Sequence, residues 1–73
     1  MAASNMNLKW RNKFSGEEGF VQKVVKSQGY FINTFNQSEA KKYRSQKVVD
    51  NDIALLTELG EAQNNDFFAV EMQ

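Results

Sequence analysis

Cysteine, histidine and proline are absent from this chain, and nine Lys and Arg residues balance nine Asp and Glu residues, so the net charge is zero. Without cysteine or histidine there are no disulfides, thiolate nucleophiles, usual zinc sites or imidazole acid–base groups. The lack of cysteine fits a reducing compartment, and we expect a cytoplasmic protein. Apolar runs are far shorter than the ~20 residues of a membrane span, and we expect neither a span nor a signal peptide.

The remaining composition is that of a small globular domain. The chain has 73 residues, of which 41% are hydrophobic and 25% are charged, which is outside the range of disordered chains. Six Phe, two Tyr and one Trp supply most of the large apolar side chains. We expect one modestly stable domain over residues 6–73, either monomeric or dimeric. Residues 1–5 lack an apolar pattern, and we expect them to be disordered or foreign to the natural chain.

Period-two alternation predicts the first strand. Met6, Leu8, Trp10 and Phe14 alternate with polar and basic residues. This pattern is typical of a half-buried strand, and it places all four apolar side chains on the core side. The next five residues, 15–19, contain two glycines and predict a turn.

Two further strands are predicted over Phe20–Ser27 and Tyr30–Phe35, with a short turn at Gln28-Gly29 between them. The third segment is rich in aromatic and β-branched residues, which favour strands. Neither face of residues 20–27 is cleanly apolar, so the pattern leaves open which face is buried. Three strands joined by short glycine-containing turns predict an antiparallel meander.

Helical signals follow the third strand. Asn36 and Glu39 have the spacing of a capping box, and they predict a short helix over Gln37–Arg44. Ala40 and Tyr43, three residues apart, would then face the core.

A second helical segment has the strongest apolar stripe of the chain. Ser45 is a suitable N-cap, and Val49, Ile53 and Leu56 recur at helical spacing. Gly60 lies where such a helix would end. The pattern leaves open whether the two helical segments are separate or form one bent helix.

The last predicted element is a strand over Phe67–Met72, so the order is β-β-β-α-α-β. The simplest packing is an α+β fold with a four-stranded antiparallel sheet and one or two helices on one face. We expect the last strand to pair with the first. Both faces of this strand carry apolar residues, and we expect Phe67 to lie on the face that the helices leave open.

The charges are distributed unevenly along the chain. All nine basic residues lie in residues 1–47 with only three acidic ones, which gives this part a net charge of +6, and residues 48–73 have a net charge of −6. On one interpretation the basic residues form a surface for nucleic acid or an acidic partner. The candidate residues of this basic surface are Lys9, Arg11, Lys13, Lys23 and Lys26.

The alternative interpretation is that the two parts neutralise each other within the fold. If the last strand pairs with the first, Glu71 would lie near Lys9 or Arg11. We favour neutralisation, because nucleic-acid-binding domains usually have a basic net charge and this chain has none. Trp10 could stack on bases, but it shares a face with Leu8 and we interpret it as a core residue.

A sheet with helices on one face leaves its other face available to a partner. Apolar side chains on that face would mark a protein partner or a dimer interface. The candidate interface residues are Tyr30, Ile32 and Phe67.

No catalytic signature is present. Asp50 and Asp52 are two residues apart on the predicted helix, so their carboxylates would point to different faces. The serines have no histidine to activate them, and no glycine pair lies between a strand and a helix as a phosphate loop would. The sequence therefore predicts no enzyme, no cofactor and no metal site.

The composition, rich in Lys, Asn and Glu without Pro, Cys or His, resembles that of small proteins encoded by AT-rich bacterial and phage genomes. This resemblance implies a small protein that binds a larger machine, as an accessory regulator or inhibitor does. We therefore expect a non-catalytic protein-interaction module that binds a protein partner or a second copy of itself and has no membrane partner. Nucleic-acid binding through the basic surface is the alternative.

Overall fold

A computed structural model describes residues 5–71 of the chain, so the predictions for Met1–Ser4 and for Met72 lie outside the described residues. Four strands form one antiparallel sheet in the order β3-β2-β1-β4, and one helix packs on it. The α+β class and the pairing of the first strand with the last are thereby confirmed. The elements are β1 (Met6–Asn12), β2 (Glu18–Val25), β3 (Tyr30–Thr34), α1 (Gln46–Glu58) and β4 (Asn65–Glu71), with short 3₁₀ turns at Gln37–Glu39 and Glu61–Gln63.

The core lies between α1 and one face of the sheet, which we call the helix face. Leu8 and Val21 of the sheet and Val49 and Leu56 of α1 are fully buried in one cluster, which also contains Trp10. Residues opposite one another in antiparallel strands share a face, so Phe67, which lies opposite Trp10, belongs to the helix face. The other side of the sheet is the open face.

A β-bulge explains the mixed pattern of the second strand. The register between β2 and β3 shifts between Val21 and Lys23. Before the shift Val21 points into the core, and after it Val24 packs against the core while Lys23 lies opposite Ile32 on the open face. Apolar and polar residues do not alternate cleanly along β2, because the extra residue of the bulge places every later side chain on the opposite face from the one that simple alternation predicts.

The predicted helix over Gln37–Arg44 is wrong. Only the 3₁₀ turn Gln37–Glu39 forms, and the chain then runs extended between the separating strands β1 and β2. Lys41 donates its N–H to the carbonyl of Val21, and Tyr43 exchanges two backbone hydrogen bonds with Met6 at 2.8 and 2.9 Å. Pairing with two strands thus replaces the local helix, although Ala40 and Tyr43 are buried as expected.

The capping residues show why the local signal was misleading. Asn36 does act as a cap, because its side chain accepts from the N–H of Ser38. Glu39 does not complete the capping box, since it accepts a hydrogen bond from the Thr34 hydroxyl. The N–H of Asn36 donates to that same hydroxyl, so Thr34 connects this turn to the end of β3.

Helix α1 agrees closely with its prediction. The Ser45 hydroxyl accepts from the N–H of Val48, and Gly60 adopts the left-handed conformation (φ 87°) just beyond the last turn. Leu56 is fully buried, whereas Val48 is 41% exposed.

Phe14, which the alternating pattern places in the first strand, lies outside β1. β1 ends at Asn12, whose side-chain oxygen accepts from the N–H groups of Phe14 and Ser15 and so begins the turn. Phe14 is 80% exposed, so its predicted place in the buried row is wrong.

Tyr43 carries the main buried polar contact between the extended segment and α1. Its hydroxyl donates to the Asp52 carboxylate at 2.6 Å, and the Lys41 ammonium lies 2.9 Å from the same oxygen. Burial, reinforced by the bond to Asp52, raises the pKa of the Tyr43 phenol well above its ordinary value.

We expect Tyr43→Phe to reduce the sensitivity of the fold to alkali. Because the folded-state pKa of Tyr43 is raised, its contribution to stability is complete below the unfolded pKa of about 10 and falls as pH rises above it. Denaturant titrations at pH 7 and pH 10.5 measure this loss. The wild type should lose more stability than Tyr43→Phe between these pH values, and equal losses would contradict the assignment.

Candidate functional site

The first strand's basic residues are paired on the open face of the sheet. Glu18 bridges two of them, with its carboxylate oxygens 2.8 Å from Lys9 Nζ and 3.0 Å from Arg11 Nη2. This contact follows from the register, because Glu18 lies directly opposite Arg11. The hydrogen bond from Lys9 and the charge of Arg11 lower the pKa of the Glu18 carboxyl.

Lys13 also has an acidic neighbour. Its ammonium lies 3.8 Å from Asp66 on β4. Glu71 does not take this role, since it lies opposite Met6 at the far end of β1, and the prediction that it neighbours Lys9 or Arg11 is wrong. Glu18 and Asp66 are instead the carboxylate partners of these three cations.

The other two residues of the basic surface lie in a different environment. Lys23 and Lys26 have no ion pair among residues 5–71, and Lys23 lies opposite Ile32 on the open face. Lys26 directly follows Val25, which lies opposite Tyr30. Lys23 therefore lies beside Ile32, and Lys26 lies in the turn that joins β2 to β3.

Tyr30 and Ile32 are exposed at the side of the sheet. Their exposed fractions are 42% and 39%, and both lie on β3, which is an edge strand. None of the five residues of β3 is charged. The opposite edge, β4, differs because Asp66 and Glu71 lie on it.

Phe67 is not part of this surface. It lies on the helix face, it is half-buried, and its ring is 5.5 Å from the ring of Phe31. Trp10 lies on the same face, is 6% exposed and contacts Phe31 and Phe35, so its assignment to the core is confirmed. The expectation that Phe67 faces the open side is wrong.

The open face carries Phe68 and Phe20 in place of Phe67. Both are half-buried, because Lys9 lies over the Phe20 ring (5.8 Å) and Arg11 over the Phe68 ring (5.7 Å). The centre of the open face is thus covered by its own cations, and the more exposed apolar groups lie toward β3.

The acidic residues of α1 do not converge. Asp50 accepts from the Gln46 amide, whereas Asp52 accepts from Tyr43 and Lys41. Within residues 5–71 no three potential ligand side chains gather as a metal site. In the same part of the chain no helix has the length and apolar character that crossing a membrane requires.

These features define a small α+β protein with an exposed edge strand. No protein-family model, curated protein or solved structure is significantly similar to this chain.

Proposed function

We propose that this protein is a small non-catalytic interaction module that binds through the edge of β3. The resemblance of its composition to small proteins of AT-rich bacterial and phage genomes favours an accessory regulator or inhibitor. The observation that carries the proposal is an uncharged edge strand with Tyr30 and Ile32 exposed beside it. Edge strands present unpaired N–H and C=O groups to solvent, and proteins usually protect them with charges, proline or a covering element. β3 has no charged residue and no proline.

We further propose that the partner on β3 is a second copy of the chain. Two identical strands can pair antiparallel about a two-fold axis, which closes the assembly at a dimer and joins two four-stranded sheets into one. With Ile32 at the axis, each Ile32 would lie opposite its counterpart, and each Tyr30 would lie opposite Thr34 of the other copy. Pairing of five-residue strands buries little area, so the expected affinity is that of a weak, reversible dimer.

We expect Ile32→Lys to abolish this self-association. The substitution places a charge on the strand edge, where two like charges would face each other across the two-fold axis. The matched control is Val48→Lys, because Val48 on α1 is 41% exposed and Ile32 is 39% exposed. Sedimentation equilibrium up to about 1 mM protein, the range in which weak dimers form, should show dimer for the wild type and Val48→Lys only. A wild type that stays monomeric over this range would contradict the dimer.

Nucleic-acid binding through the first strand is disfavoured by its ion pairs. We expect no micromolar binding of single- or double-stranded DNA or RNA at about 50 mM salt, because Lys9, Arg11 and Lys13 already have carboxylate partners. Glu18→Gln removes the shared partner of Lys9 and Arg11, and it should increase any residual, salt-sensitive binding. Tight binding by the wild type, lost in Lys9→Ala and Arg11→Ala, would overturn this expectation.

A further inference from the structure

A pocket of about 300 Å³ opens on the helix face of the sheet, away from the exposed side chains of Tyr30 and Ile32. Trp10 and Phe31 form its aromatic part. Its polar lining comes from four other places: Asn12 and Asn65 at the paired ends of β1 and β4, Glu17 before β2, Asn33 on β3, and Glu61 after α1. This volume is at the lower end of the range for small-molecule sites, which suits one side chain or a ligand of similar size.

The side chains of Asn12 and Asn65 already have hydrogen-bond partners within the protein. The Asn12 amide donates to the Asn65 side-chain oxygen, while its own oxygen accepts from the N–H groups of Phe14 and Ser15. The Asn65 amide donates in turn to the carbonyl of Glu61. These bonds fix the shape of the pocket, and they leave few free donors for a ligand.

The charged groups that line the pocket are both carboxylates. Glu17 and Glu61 line it, and neither carboxylate has an ion pair among residues 5–71. No lysine or arginine lines the pocket, and Lys13, the basic residue on the adjoining turn, is directed to Asp66. Two carboxylates beside two aromatic rings are suited to an organic cation, because the carboxylates pair with its charge and the rings attract it through their faces.

Trp10 supplies a spectroscopic reporter in the wall of the pocket. Its indole N–H is buried and has no hydrogen-bond acceptor among the described residues, although the side chain lines the pocket. Buried donors are nearly always satisfied, so an unsatisfied one at a pocket wall is notable. The nitrogen lies close to Gly19 on the neighbouring strand, so its resonance reports on the pocket through the indole ring and not through a bond to the ligand.

We propose that this pocket binds an organic cation, a guanidinium or alkylammonium group on an apolar stem, between the Trp10 and Phe31 rings and the carboxylates of Glu17 and Glu61. The site shares Phe31 and Asn33 with β3, but their side chains lie on the helix face, whereas Tyr30 and Ile32 lie on the open face. Its ligand could be a free alkylguanidinium or an arginine side chain of a polypeptide, which share the same chemistry.

The test uses Trp10, the only tryptophan of the chain, as the reporter. Its single indole N–H resonance is followed by ¹H–¹⁵N NMR while the protein is titrated with butylguanidinium, N-acetylarginine amide or N-acetylcitrulline amide, the uncharged analogue. We expect saturable shifts with the two cations, with Kd of about 1 mM or tighter, and none with the citrulline compound. Tighter binding of the arginine compound would identify a polypeptide side chain as the ligand, and equal or weaker binding would identify a free alkylguanidinium.

Variants that remove one carboxylate at a time test whether the cation binds in this pocket. Glu17→Gln and Glu61→Gln should each weaken binding about five- to tenfold, as loss of one close charge partner does. Glu58→Gln is the matched control, since Glu58 is an exposed glutamate on α1 outside the pocket, and it should bind like the wild type.

Three results would overturn the proposal. The first is a folded protein whose indole resonance does not shift with either cation. The second is an equal shift with the citrulline analogue, and the third is unchanged affinity in the Glu17→Gln, Glu61→Gln double variant. None of these results bears on the β3 edge, because dimerisation is measured separately with Ile32→Lys.

Discussion

Leu56→Ala is expected to destabilise the protein by about 2–5 kcal/mol, the usual range for removing a fully buried leucine side chain. Leu56 has no exposed surface, and it packs in one cluster with Leu8 and Val49. A domain of 73 residues has a total stability of about 4–11 kcal/mol. The variant should therefore lose a large part of its stability, and a loss of about 5 kcal/mol would unfold a domain whose total stability is about 4 kcal/mol.

The adjacent leucine provides the control. Leu55 is half-buried and lies outside the core cluster, so Leu55→Ala should cost much less although the change in side chain and helix propensity is the same. Urea unfolding followed by Trp10 fluorescence or circular dichroism measures both variants. Equal losses, or a larger loss for Leu55→Ala, would mean that α1 packs on the sheet with a different face.

Gly19→Ala is expected to cost about 1–3 kcal/mol through overpacking. Gly19 lies opposite Trp10 in the sheet, and a Cβ at this position would be 2.7–2.8 Å from three atoms of the indole ring. The ring cannot easily move, because it is 6% exposed and in contact with Phe31 and Phe35. The backbone φ of Gly19 is not positive, so the expected loss comes from the ring and not from backbone strain.

A double variant separates these two causes. Trp10→Phe removes the part of the indole that the new methyl group would meet, including Nε1. In the Trp10→Phe background, the additional cost of Gly19→Ala should fall to a small fraction of its value in the wild type. If the cost is the same in both backgrounds, close packing of Trp10 on Gly19 is not what requires glycine there.

Much of the fold follows from local patterns, and the exceptions have physical causes. Ser45 and Gly60 bound α1 as expected because capping depends on neighbouring residues only. The segment around Lys41 and Tyr43 is extended because it pairs with strands that are distant along the chain, and no local pattern contains that information. The face of β2 could not be assigned because the bulge after Val21 interrupts its alternation.

The surface was harder to predict than the fold. Phe67 and Phe68 are adjacent aromatics, so a shift of one residue in register exchanges the buried ring with the one on the open face. The ion pairs of Lys9 and Arg11 depend on Glu18, whose position opposite Arg11 is fixed by the hairpin register. The pocket beside Trp10 has no sequence signal, because its lining comes from separate segments of the chain between Trp10 and Asn65.

The most direct test of binding through β3 is amide hydrogen exchange measured by NMR at about 50 μM and about 1 mM protein, below and within the range where weak dimers form. Pairing of β3 with a second copy predicts that the amides of β3 that do not bond to β2 become protected at the higher concentration. The edge amides of β4 should exchange equally fast at both. Unchanged exchange on β3, or protection confined to β4, would contradict pairing of β3 with a second copy.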